Sequence, residues 1–173
     1  MSRFDVFVTQ TGHGGWNRVV IADSGNGLFR QEGMGNVNEA TSIGSAHDVF
    51  DQGGLGNVNI ARGGGGNDVF LMGGTGNKNV AEGGDGNDVF SIEGYKNTTR
   101  ADGGAGNDVF SIAQGSSSIL RIDGGTGDDT LSLNGHAADW NSHGATSTWQ
   151  LMLNRASRQV VSAHNIEHTL VEE

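Results

Sequence analysis

Aspartate recurs at Asp48, Asp68, Asp88 and Asp108, each time opening the tripeptide Asp-Val-Phe, and again at Asp129 in Asp-Thr-Leu. The first three intervals are twenty residues each. If each interval is one coil of a stack, the carboxylates form a line along one edge. Neighbours ~5 Å apart repel by about 0.8 kcal/mol in water, and by several-fold more beside a low-dielectric wall. Such a line stacks only with positive charge between its rungs. The runs ahead of the last four aspartates are rich in glycine, and a turn without Cβ atoms can direct its carbonyl oxygens inward. Carboxylates and backbone carbonyls, with no histidine or cysteine in the pattern, make a hard-oxygen site. That chemistry suits Ca²⁺, which takes six to eight oxygens in flexible geometry.

The elements that must position these aspartates are legible in the same stretch. Residues 63–92 read GGGGNDVFLMGGTGNKNVAEGGDGNDVFSI, two glycine turns per twenty residues, each followed by a short strand-like run. A fixed self-similarity of this length marks a solenoid. Phe7, Phe29, Phe50, Phe70, Phe90, Phe110 and Leu131 fall in one column, with Met72, Ile92, Ile112 and Leu133 two residues on. Spacing by two is strand periodicity, so both columns face inward. On the other wall Ala40, Ala61, Ala81 and Ala101 align, beside the mixed column Glu39, Ile60, Val80 and Arg100. Small alanine opposite large phenylalanine fits a thin two-walled core. The sequence therefore predicts an all-β fold, a right-handed parallel β-roll of ~20 residues per coil, with coils ~4.8 Å apart. Residues 1–133 form the roll, with 1–43 degenerate and 44–133 regular; Asp5 and Phe29 read as worn early rungs.

GGGGNDVFL (63–71), GGDGNDVFS (83–91), GGAGNDVFS (103–111) and GGTGDDTLS (124–132) each fit the pattern GGxGxDxUx. The chain thereby resembles the repeats-in-toxin, or RTX, family of calcium-binding β-rolls. The resemblance covers residues 44–133 well and the first forty poorly. It implies that each ion lies between adjacent turns of one edge, held by motif aspartates and carbonyls of the first four turn residues. Carried onto this sequence, the ligand groups are Asp68 with Gly63, Gly64, Gly65 and Gly66, and Asp88 with Gly83, Gly84, Asp85 and Gly86. Asp108 joins Gly103, Gly104, Ala105 and Gly106, and Asp129 joins Gly124, Gly125, Thr126 and Gly127. Asp48 sits in IGSAHDVFD, which has lost two of the glycines, so its site is the weaker one. About four ions are expected along this edge. The other edge departs from the family: Val37, Val58, Lys78, Thr98 and Ser118 stand where aspartate would be expected. There the columns Asn36, Asn57, Asn77, Asn97 and Asn38, Asn59, Asn79 predict side-chain amide ladders.

After Leu133 the period stops. STWQLMLN and RQVVSA, joined through NRAS, predict an antiparallel hairpin with Trp149, Leu151 and Leu153 on one face. With the closing HNIEHTLVEE, residues 134–173 read as a β cap, which an open solenoid end needs. The resemblance adds a C-terminal type I secretion signal in the same segment, and an extracellular setting. No apolar leader opens the chain.

Glycine is 31 of 173 residues, and proline and cysteine are absent, which excludes disulfides and thiolate metal sites. A net charge of -10 disfavours nucleic acid and anionic membranes and favours cations. Apolar runs are too short to span a bilayer. The six histidines show no ligand spacing, no nucleophile elbow occurs, and cleavage at Asp-Pro is impossible without proline. The expectation is a non-enzymatic calcium-binding module serving as scaffold or adhesin, with a saccharide or cell surface as its partner and its oligomeric state open. The alternative is an accessory module of a secreted polysaccharide-modifying enzyme or protease, or an ice- or saccharide-binding solenoid.

Overall fold

The computed structural model describes residues 6–21, 25–114, 118–143 and 149–172. Its strands make two sheets. One takes β1 (Val6–Gln10), β3 (Gly27–Gln31), β5 (Val49–Gln52), β7 (Val69–Met72), β9 (Val89–Ile92), β11 (Val109–Ile112), β13 (Thr130–Asn134) and β17 (His168–Glu172), in that order. The other runs β2 (Trp16–Ile21), β4 (Val37–Ser42), β6 (Val58–Gly65), β8 (Lys78–Asp85), β10 (Thr98–Ala105) and β12 (Ile119–Thr126). It continues with β16 (Gln159–His164), β15 (Trp149–Asn154) and β14 (Trp140–His143). The chain alternates between the sheets, so each coil adds one strand to each: about 6 turns of a β-solenoid, about 21 residues per turn.

Register follows the columns. Phe50, Phe70, Phe90, Phe110 and Leu131 pair across consecutive strands. The rings of Phe29 through Phe110 stack 4.6–4.9 Å apart, with planes within 12°. That distance is the strand spacing itself, so one ring per coil fills the wall without a gap. Ala40, Ala61, Ala81 and Ala101 are buried opposite.

Phe7 does not belong to this column. Val8 pairs with Phe29, Phe7 pairs with Leu28, and Phe7 is 66% exposed. A one-residue slip reverses which face a strand side chain takes. Asp5 lies outside the described residues. The aspartate column itself continues through Gly27, which precedes the Leu28–Val49 pair, to its partner Val6.

The interior changes character along the axis. Met72, Ile92, Ile112 and Leu133 give way towards the N-terminus to buried Gln52 and Gln31. Their amides bond in series, Gln52 Nε2 to Gln31 Oε1 at 2.5 Å and Gln31 Nε2 to Gln10 Oε1 at 2.6 Å.

In the C-terminal region β14, β15 and β16 pair antiparallel, and β15–β16 is the expected hairpin. Trp149, Leu151 and Leu153 share one face, as expected, and are half-buried, while Met152 and Asn154 point inward from the other. The roll is extended in parallel beyond the repeats, with β16 lying against β12 and β17 against β13. No helix among the described residues is long and apolar enough to cross a membrane.

Candidate metal centre

The four positions of the GGxG turn have separate reasons for their residues. At the second and fourth positions φ is positive, from +89° at Gly64 to +146° at Gly127, where a side chain is strained. First-position glycines lack that constraint. Instead, a Cβ on Gly63 would collide with Asp68 Oδ2 and lie 2.7 Å from the Gly83 carbonyl oxygen. Gly83 stands in the same relation to Asp88 Oδ2 and the Gly103 carbonyl, and Gly103 to Asp108 Oδ2 and the Gly124 carbonyl. The third position has no positive φ, and Gly65, Asp85, Ala105 and Thr126 occupy it. The carbonyls of Asp85, Ala105 and Thr126 accept intercoil hydrogen bonds from Gly66, Gly86 and Gly106, at 2.7–2.9 Å, with a second lone pair left over.

The aspartates are buried and linked. Asp48, Asp68, Asp88 and Asp108 each donate their backbone N–H to Oδ1 of the next aspartate, at 2.7–2.8 Å. Oδ2 of all five, Asp129 included, is buried with no hydrogen-bond partner. An acceptor sealed from water without a donor is costly, and more so when charged. The electrostatics register that cost. Burial, against the pull of the backbone hydrogen bond and with added repulsion from neighbouring aspartates, raises Asp68 and Asp88 to about 7 and Asp108 to about 6. Burial also raises Asp129.

The opposite edge solves the same problem with one different atom. Asn36, Asn57 and Asn77 donate their backbone N–H to Oδ1 of the next asparagine at 2.8–2.9 Å. Their second atom is a donor. Asn57 Nδ2 reaches the carbonyls of Gly53 (2.7 Å) and Gly33 (3.2 Å), and Asn77 Nδ2 those of Gly73 (2.9 Å) and Gly54 (3.2 Å). Asn97 donates onward to Ser118 Oγ, so Ser118 belongs to this inward column. The counterparts of the aspartates are thus these asparagines, and Val37, Val58, Lys78 and Thr98 face outward. The turn on this edge is one residue shorter, and Lys78 is exposed rather than set into the line.

The extra residue of the aspartate-edge turn makes a ladder that the repeat alone does not announce. Asn87 and Asn107 donate backbone N–H to the side-chain oxygens of Asn67 and Asn87, at 2.9 and 2.8 Å. Asp128 donates likewise to Asn107 at 3.1 Å. Asn38, Asn59 and Asn79 form the expected amide ladder in the interior, 2.8–2.9 Å apart.

The coil at 43–48 is built differently. Strand β4 stops at Ser42, and Ile43, at 61% exposed, stands where later coils have their first glycine. Asp48 Oδ2 is unpaired without a glycine cradle of its own. Among the described residues no three acidic or histidine side chains converge on one point. Each rung supplies carboxylate oxygen, and the remainder of any cation's shell falls to backbone carbonyls. No protein-family model matches this chain, and no curated protein matches it.

Proposed function

We propose that this chain is a calcium-binding β-roll of the RTX kind, with folding coupled to the metal. The carrying observation is the row of buried, unpartnered Oδ2 atoms facing turn carbonyls at positions that only glycine leaves open. Asp68, Asp88, Asp108 and Asp129, with the carbonyls of Gly83, Gly103 and Gly124, are the groups that would hold the ions. A bound cation would supply the positive charge that Nδ2 supplies on the asparagine edge. The donor set is all oxygen, which favours Ca²⁺ over the softer transition metals.

Free energy of binding adds to the folded state alone, so stability rises with calcium by mass action. Without the ion, the buried carboxylates and a net charge of -10 oppose closure. Calorimetric titration of chelator-stripped protein, followed in parallel by far-UV circular dichroism, tests this. Several ions bound together with a gain of β signal are expected. No binding heat and an unchanged spectrum would overturn the reading.

An extracellular setting belongs to the same proposal: an extended acidic chain passes a type I exporter and closes in calcium-rich surroundings. A reporter fused to residues 134–173, expressed with and without such an exporter, tests that part. Retention in both cells would refute it.

A further inference from the structure

The aspartate line does not end with the last motif. Asp129 donates its backbone N–H to Glu167 Oε2 at 2.8 Å, the bond that every earlier rung makes to the next aspartate. The backbone agrees, since His168 donates to the Asp129 carbonyl at 3.0 Å as Thr130 does to Asp108 at 2.9 Å. Glu167 therefore occupies the rung after Asp129, although it lies 38 residues further along the chain.

The cradle is repeated as well. A Cβ on Gly124 would collide with the Asn165 carbonyl oxygen and lie 2.5 Å from Asp129 Oδ2. In the earlier coils that carbonyl comes from the first glycine of the next turn. Here Asn165 supplies it from a left-handed conformation, φ 49°, which asparagine tolerates. Asp129 is fully buried and its Oδ2 has no partner. His168, beside Glu167 in sequence, pairs its imidazole with Asp128 at 2.8 Å.

We infer that Asp129 Oδ2, the Asn165 carbonyl and Glu167 form a further divalent-cation site at the joint between roll and C-terminal strands. The inference rests on the calcium reading above. It makes docking of β17 depend on the metal, through Asn165 and Glu167, which lie outside the repeat motif. With Ile43 in place of the first glycine at the opposite end, the complete cradles begin at Gly63, Gly83, Gly103 and Gly124, and the last one belongs to this joint.

The test compares the intact chain with Glu167→Gln, which keeps an acceptor for the Asp129 N–H and loses the charge. Both carry Trp16→Phe, so that tryptophan emission comes from Trp140 and Trp149. Titration with CaCl₂ should show one ion fewer in Glu167→Gln. The emission midpoint should move to at least about tenfold higher calcium, while the dichroism of the roll still saturates. Equal stoichiometry and an equal midpoint would overturn the joint site and leave the calcium reading standing. An intact chain that binds no calcium would overturn both. Should Glu167→Gln not fold, the calcium stoichiometry of an Asp48→Asn chain, which lacks the carboxylate of the incomplete first cradle, decides. Four ions bound support the joint site, and three, one for each cradle at Gly63, Gly83 and Gly103, refute it while leaving the calcium reading standing.

Discussion

A carboxylate and a carboxamide differ by one atom, and the two edges of this molecule differ by that atom. Asn77 Nδ2 donates to two turn carbonyls, whereas Asp88 Oδ2 has nothing to accept. Asp88→Asn should therefore stabilise the metal-free protein while weakening its metal response. Relief of one buried, unpaired acceptor is worth about 1–3 kcal/mol, and each kcal/mol moves Tm by about 2–4 °C at this size. Scanning calorimetry in chelator should show the rise, and calcium titration a smaller stoichiometry. Asp88→Ala, which removes a carboxylate shared by two neighbouring gaps, should raise the calcium midpoint; Lys78→Ala, on the outer surface, should not. The same burial sets a pH dependence. Asp68 and Asp88 at about 7 and Asp108 at about 6 lie above the ~3.9 of an unfolded aspartate, so the folded, metal-free protein holds more protons. That contribution to stability is complete below about pH 4 and is lost as pH rises through about 6 to 7. Tm in chelator is expected to be lower at pH 8 than at pH 5; a flat or rising profile would contradict the assignment.

At the level of turns and strands, the motif separates positions that a consensus treats alike. Gly83→Ala would put a methyl group against Asp88 Oδ2 and 2.5 Å from the Gly103 carbonyl oxygen, and should abolish calcium binding at that rung. Asp85→Ala, two residues on at an exposed position, should leave binding and Tm nearly unchanged. The parallel stack, the paired columns and the single acidic edge were readable in the sequence because each rests on side-chain type repeated at fixed distance. Errors arose where spacing alone had to supply orientation. Counting from the first glycine placed Lys78 opposite Asp68, yet the shorter turn makes Asn77 the inward residue, and parity then turns Lys78 outward. Phe7 failed for the same reason, one residue out of step with Phe29. Glu167 was invisible because its neighbour in the ladder is distant in sequence, and no repeat links NIE to GGxGxD.

As a whole the stack has a direction. Every aspartate rung takes its acceptor from the coil that follows it, and the final rung takes Glu167. The interior runs the same way, from amide-lined coils at Gln31 and Gln52 to coils filled by Ile92, Ile112 and Leu133. Apolar burial therefore grows towards the C-terminal end, where the roll is also covered by β16 and β17. Pulse-labelled hydrogen exchange during calcium-triggered folding should show protection arising first around β11 to β13 and β17, and last at β3 and β5. The reverse order would contradict the argument. Completion thus runs backwards relative to synthesis: a nascent polypeptide threading out amino end first leaves each rung waiting for a piece still to emerge. Only when β17 has emerged does the whole column have a foundation to close upon.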